Sequence, residues 1–172
     1  MESYQIINTT KDDLEFIYSL FEDAIAYQRE KNYPAWNGFD KDVLISDVAN
    51  KQQYKIVIDN QITCVFTVLK TDPLIWREKD KGDAIYLHRI VVNQKYKGYR
   101  QFEKILNWSI EFAKQAQITF IRMDTWAHNL HIIEYYKNFG FTFLENFKTP
   151  DTTELAIQNR NLDVALLEYI VS

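Results

Sequence analysis

Two stretches of this sequence carry polar chemistry at points where one element hands over to the next. The first runs from Ile85 to Leu106, IYLHRIVVNQKYKGYRQFEKIL. An apolar run ends there at Val92, a short basic loop crosses Lys95, Lys97, Gly98 and Arg100, and a helical pattern starts at once. A helix N-terminus offers unpaired backbone N–H groups and the positive end of a dipole, which together attract anions. Gly98 permits close backbone approach or a positive φ, and the cationic side chains add charge. The chemistry implied is phosphate cradling. A simple helix cap with solvated lysines accounts for the same residues. The stretch is not a P-loop, since no Gly-Lys-Ser/Thr follows, nor a dinucleotide fingerprint, which needs three spaced glycines.

The second stretch is Asp124 to Phe141, DTWAHNLHIIEYYKNFGF. Asn129 opens a helix there, and Tyr136 lies seven residues on, about two turns along the same face. Gly140 and Phe141 end the helix and begin a strand. An Asn cap, a Gly stop and a core tyrosine would produce the same pattern. His128 and His131 are three apart, but no Cys or properly spaced carboxylate cluster accompanies them. They read as surface residues at a helix start, and no metal is expected.

The elements that position these stretches follow from periodicity. Tyr4 to Asn8 is β-prone, and Thr10 reads as a helix N-cap with Asp12 and Asp13 in the first turn. Leu14, Ile17, Phe21, Ala24 and Ile25 recur at helical spacing to about Arg29. Asn32 to Gly38, with Pro34, breaks that helix, and a second begins near Asp40. Tyr54 to Asp59 and Ile62 to Lys70 read as a hairpin turned through Asn60 and Gln61. Thr71 to Gly82 reads as a long loop and Ala84 to Val92 as a strong strand. Phe102, Ile105, Leu106, Ser109, Phe112, Ala113 and Ala116 mark an amphipathic helix. A strand over Ile118 to Thr125, a helix over Asn129 to Asn138, and strands over Phe141 to Phe147 and Asp163 to Val171 complete the chain. The order β α α β β β α β α β β predicts an α/β or α+β three-layer domain with a parallel crossover inside a mixed sheet.

Composition fits one globular domain over residues 1–172. With 47% hydrophobic residues and only 4 Gly and 3 Pro, the chain has core material and little linker. A net charge of −4 argues against general nucleic-acid binding. The single cysteine, Cys64, reads as a buried strand residue in a reducing compartment. No stretch approaches the roughly 20 apolar residues of a membrane span, and no signal region is evident. A soluble, cytoplasmic protein is expected, with no membrane partner.

Taken together, the two stretches resemble the coenzyme-A core of the GNAT superfamily of N-acetyltransferases. The family pattern after the strand is [QR]-x-x-G-x-[GA], and Lys95, Tyr96, Lys97, Gly98, Tyr99 and Arg100 stand at those positions. Its second pattern is matched in full by Asn129, Tyr136, Gly140 and Phe141. The resemblance implies a mixed, mostly antiparallel sheet of six or seven strands, helices on both faces and a splayed parallel strand pair. It also implies acetyl-coenzyme A as cosubstrate and a primary amine of a small molecule or peptide as acceptor.

Site residues carry over with it. Amides near Ile90, Val91 and Val92 would pair with the pantetheine arm. Amides from Lys97 through Gln101 to Phe102 would hold the pyrophosphate. Asn129 would hydrogen-bond near the pantetheine, and Tyr136 would protonate the departing thiolate. A phenol with pKa about 10 serves as such an acid when held in hydrogen-bond reach.

Two departures stand out. Arg100 replaces a small residue, which brings bulk and backbone strain, so it pairs with a coenzyme phosphate or marks a loop that has lost affinity. The strand also lacks the carboxylate that many members use as general base. Tyr86 and His88 share a face of that strand, and His88 is the better base because its ordinary pKa lies near neutrality. A structural histidine facing the first helix is the competing reading. Tyr27, Tyr33, Trp36, Phe39 and Trp76 would either wall an amine pocket or seal the edge of the core. A fold that binds coenzyme A without turnover and an interaction module are the alternative functions. Monomer and homodimer are both compatible with the sequence.

Overall fold

The computed structural model describes residues 3–33 and 35–172, so of the break read over Asn32 to Gly38 only Pro34 lies outside the described residues. The chain runs β1 (Tyr4–Asn8), α1 (Leu14–Glu30), α2 (Lys41–Ala49), β2 (Gln53–Ile58), β3 (Gln61–Leu69), α3 (Pro73–Trp76) and β4 (Ala84–Val92). It continues through α4 (Gln101–Gln115), β5 (Phe120–Trp126), α5 (Leu130–Lys137), β6 (Thr142–Lys148) and β7 (Asp163–Ile170). The strands form a mixed seven-stranded sheet in the order β1-β2-β3-β4-β5-β7-β6.

The β4–β5 ladder is parallel, as the crossover through α4 requires. The β1–β2, β2–β3, β5–β7 and β6–β7 ladders are antiparallel. The second strand–helix–strand passage does not make a neighbouring pair, because β7 inserts between β5 and β6. Both flanking strands therefore run antiparallel to β7.

Contacts group the chain into two compact units built from alternating segments. The first takes the residues up to Val68, then Arg89–Phe102 and Ala156–Gln158. Its core joins Ile17, Leu20 and Phe21 of α1 to Leu44 of α2, Val65 of β3 and Val91 of β4. The helical spacing of the α1 residues is what delivers them to one side. Burying each such side chain contributes about 1.5–3 kcal/mol. Cys64 is fully buried, as its place in an apolar strand implies. The second unit takes Leu69–His88, Glu103–Leu155 and Asn159–Ser172. Ile75 and Trp76 pack there with Ala84 and Tyr86 of β4 and Val164 and Leu166 of β7.

Two local expectations need correction. The β2–β3 hairpin turns through Asp59 and Asn60, at φ 48° and 60°, and Gln61 already belongs to β3. Two left-handed residues define the hairpin turn whose twist suits its strands, and Asp and Asn tolerate that geometry. The stretch read as a loop over Thr71 to Gly82 contains α3 and a 3-10 turn at Arg77–Lys79. Asp72 before Pro73 is a helix-start signal. The apolar triplet Leu74, Ile75 and Trp76 follows it, and Ile75 and Trp76 are buried.

Candidate active site

The β4–β5 ladder pairs Ala84 with Phe120 through Leu87 with Met123, and both strands run on beyond it. Just past the ladder Arg89 adopts φ 49°, a left-handed backbone inside a strand. A non-glycine residue there costs about 1–2 kcal/mol. The residues that follow, Ile90 to Val92, are those assigned to the pantetheine arm, and the Val91 side chain is buried in the first unit's core.

Asn93 fixes the entry to the basic loop. Its N–H donates to Thr63 O at 2.9 Å, its Nδ2 donates to Ile62 O at 3.1 Å, and its Oδ1 accepts from Lys95 N at 3.2 Å. A short 3-10 turn at Gln94–Tyr96 follows. Gly98 sits at φ 90°, and nothing lies within 4 Å of where a Cβ would stand. Arg100 adopts φ 53°, the strained geometry that a Gly at that position would take without cost. Lys97 N and Tyr99 N make long bonds of 3.3 Å to Gln94 O and Tyr96 O. The Lys97 ammonium is hydrogen-bonded to the Tyr27 hydroxyl, which raises its pKa. Gln101 opens α4 but turns its side chain inward, where Thr63 Oγ1 donates to its Oε1 at 3.3 Å. Phe102 is buried beside it in sequence, so these two residues can serve a phosphate only through their backbone.

In the second unit Asn129 caps α5, its Oδ1 accepting from Ile132 N at 3.1 Å. The side chain is thus held at the start of the helix by a bond that uses only its oxygen. Tyr136 is half-buried two turns on, with its ring 5.3 Å from Tyr135 and 6.3 Å from Phe141. His128 is 84% exposed and His131 is exposed, as surface residues should be.

His88 lies among carboxylates that the strand itself does not supply. Its Nε2 is 2.8 Å from Asp72 Oδ2, and its Nδ1 is 3.8 Å from Asp124 Oδ1. One ligand atom from each of the three falls within 4.8 Å of the others. Asp72 precedes α3, and Asp124 follows the β4–β5 ladder on β5. A polar chain anchors this group. The Asp72 N–H donates to Asp80 Oδ2 at 3.0 Å, the Tyr86 hydroxyl donates to Asp80 Oδ1 at 2.8 Å, and Arg122 Nη1 donates to Tyr86 at 3.2 Å. Arg122 Nε in turn meets Glu168 Oε2 at 2.8 Å. Burial, and then the bond to Asp80, push the Tyr86 hydroxyl well above the ordinary tyrosine range, which removes it as a base. Sequence reasoning sought a carboxylate on β4 alone and so missed Asp72 and Asp124. The usable signal was alternation on β5, which puts Arg122 and Asp124 on one face.

The aromatics proposed for an acceptor wall divide. Trp36 and Phe39 stack near Phe21, at 5.8 and 5.3 Å, and help to seal the core. Trp76 is fully buried. Tyr33 remains 46% exposed.

β4 thus joins its parallel ladder with β5 to a strained residue, Arg89, and then through a basic glycine turn to the N-terminus of α4. Residues 26–141 match the family model described as Acetyltransferase (GNAT) family, which is more than half of the chain and includes both stretches. The chain belongs to the GNAT acetyltransferase family. It is similar to the uncharacterized N-acetyltransferase YesJ of Bacillus subtilis (strain 168), 23% identical over 141 residues that cover 77% of this chain and 78% of that protein. Its fold matches a GNAT-family acetyltransferase from Listeria monocytogenes 4b F2365 with TM-score 0.80 and 18% identity, covering 97% and 94% of the two chains. It also matches YncA, a putative acetyltransferase from Salmonella typhimurium solved with its cofactor acetyl-CoA, with TM-score 0.67 and 16% identity over 98% and 94%.

Proposed function

We propose that this protein is a single-domain cytoplasmic enzyme that transfers the acetyl group of acetyl-coenzyme A to a primary amine of a small molecule or peptide. The observation that carries this reading is the β4-to-α4 turn, with Gly98 at φ 90°, open space beside it and a helix N-terminus directly following. Family membership over residues 26–141 supports it. Bound acetyl-coenzyme A supplies a thioester whose carbonyl carbon accepts the amine.

In this reading the amides of Ile90, Val91 and Val92 align the pantetheine arm. Lys95, Tyr96, Lys97, Gly98, Tyr99, Arg100, Gln101 and Phe102 surround the pyrophosphate, with Arg100 pairing to a phosphate. Asn129 steadies the pantetheine through its side-chain nitrogen. The amine nitrogen forms the new C–N bond as the C–S bond breaks. His88 takes the proton that the amine gives up, and the Tyr136 hydroxyl gives its proton to the departing sulfur. The sequence needs no metal at any step.

The test is calorimetry of the wild type with acetyl-coenzyme A and with coenzyme A, followed by turnover against a panel of amines. Micromolar binding, about −8 kcal/mol, together with acetylated product supports the reading. Tyr136→Phe should keep coenzyme affinity and lose turnover about 100-fold or more. Undetectable binding in the wild type, restored in Arg100→Gly, would mark a fold that has lost its cosubstrate.

A further inference from the structure

We propose that Tyr27 of α1 is a positioning residue for the coenzyme loop, fixing Lys97, and through it the Gly98 turn, in the form that receives the pyrophosphate. The proposal rests on the acetyltransferase reading and adds to it a residue outside the two motif stretches.

The loop is secured at its ends more firmly than at its centre. Asn93 fixes the entry through three hydrogen bonds, and the buried Gln101 side chain, which accepts from Thr63 Oγ1, fixes the exit. Between them, Lys97 N and Tyr99 N reach Gln94 O and Tyr96 O only at 3.3 Å, beyond the usual range for such bonds. Gly98 stands at φ 90° with nothing within 4 Å of its Cβ position, and it has the widest backbone freedom of any residue. A turn of this kind gains most from a hold outside the loop.

The last turn of α1 supplies that hold. The Lys97 ammonium is hydrogen-bonded to the Tyr27 hydroxyl and lies 4.4 Å from the centre of its ring. Hydrogen bonding and the attraction of a cation to the ring act on the same group. Lys31 lies farther from that ring, at 5.8 Å, and pairs with Glu30 at 3.4 Å, so the hydroxyl serves Lys97. The Tyr27 ring is itself steadied. Tyr33 meets it edge-on at 6.3 Å and 68°, and the Tyr33 N–H donates to Gln28 O at 2.9 Å.

This contact does not use up the cation. An ammonium has three N–H donors, and the Tyr27 oxygen takes one. Lys97 is exposed, so the others are open to a phosphate oxygen. A free lysine side chain gives up rotamer freedom when a ligand fixes it, and one already fixed loses less. Tyr27 therefore raises coenzyme affinity without touching the reacting atoms. Of the aromatics read as an amine wall or a core seal, Tyr27 faces the coenzyme loop instead.

The deciding experiment is calorimetry with acetyl-coenzyme A on the wild type, Tyr27→Phe, Lys97→Met and the double variant, with thermal unfolding to show that each is folded. Tyr27→Phe keeps the ring and removes the hydroxyl, and should weaken binding about three- to tenfold. In the Lys97→Met background the same change should have no further effect, because the hydroxyl acts only through Lys97. Labelling with 15N-glycine reads the turn without ligand, since the chain holds 4 glycines. The Gly98 amide should become more mobile in Tyr27→Phe and in Lys97→Met alike. In an active enzyme, Tyr27→Phe should raise KM for acetyl-coenzyme A and spare kcat. Wild-type affinity in Tyr27→Phe, an equal loss in both backgrounds, or a Gly98 signal that neither substitution moves overturns the proposal. Tighter binding in Tyr27→Phe overturns it as well, since Tyr27 would then be withholding Lys97 from the coenzyme. Undetectable binding by the wild type fails the acetyltransferase reading first, and the coenzyme role of Tyr27 with it; the other failures leave that reading intact.

Discussion

Asp47 of α2 grips Arg89 of β4 through two hydrogen bonds, Nε to Oδ2 at 2.8 Å and Nη2 to Oδ1 at 3.1 Å. Both side chains are 6% exposed, and Thr67 Oγ1 donates to the same carboxylate at 3.0 Å. The pair holds by its side chain the residue whose backbone is left-handed within the strand. Strain of this kind persists where surrounding contacts over-determine it.

Removing one partner of this pair should therefore be worse than removing both. Asp47→Ala leaves a buried guanidinium without its carboxylate and should destabilise the fold by about 3–5 kcal/mol. The double variant Asp47→Ala, Arg89→Met should recover part of that loss. Urea unfolding of the three proteins measures it, and a single-variant loss under about 1 kcal/mol would show that the pair does not hold the strand.

Arg100 is a second strained residue, and it is exposed. Arg100→Gly removes roughly 1–2 kcal/mol of left-handed strain and adds about 0.5–1 kcal/mol of chain entropy. A net gain of up to about 1 kcal/mol should raise Tm by about 2–4 °C. Differential scanning calorimetry without ligand is the check. A fall in Tm would mean that the Arg100 side chain stabilises the loop by more than its backbone costs.

Gly140 is the position where added bulk should hurt most. It sits at φ 95°, and a Cβ would stand 3.1 Å from Cε2 of Tyr169. Gly140→Ala combines backbone strain with a displaced ring and should cost about 1–3 kcal/mol. Tyr169→Ala in the same background should return only the steric part. Equal stability of Gly140→Ala and wild type would contradict the contact.

Acid stability should depend on Asp13. Burial works to raise its pKa, but Lys55 Nζ at 2.7 and 2.9 Å and Thr10 N–H at 2.7 Å outweigh it, and the net shift is below the ordinary 3.8. A lowered folded-state pKa means that the unfolded chain takes up the proton first as pH falls. The contribution of Asp13 is thus complete above the unfolded pKa and disappears as pH drops through the folded one. Asp13→Asn should lose about 1 kcal/mol at pH 7 and show a flatter decline below about pH 4. Parallel decline of the two proteins would remove Asp13 from the acid limb.

What the sequence by itself determined was local. Apolar spacing placed β4 at Ala84 to Val92 and α1 as an amphipathic helix, the Asn129 cap and Gly140 stop framed α5, and the basic glycine turn led directly into α4. Such signals are short-range, since they report how a residue's own neighbours satisfy backbone hydrogen bonds and bury one face. Tertiary structure alone decided that β7 lies between β5 and β6, that Arg89 is left-handed under the hold of Asp47, and that His88 meets Asp72 and Asp124. Those partners come from distant segments whose approach is set by strand order and register. A buried imidazole or guanidinium takes whichever carboxylate that packing brings within hydrogen-bond reach, and no local pattern encodes the choice.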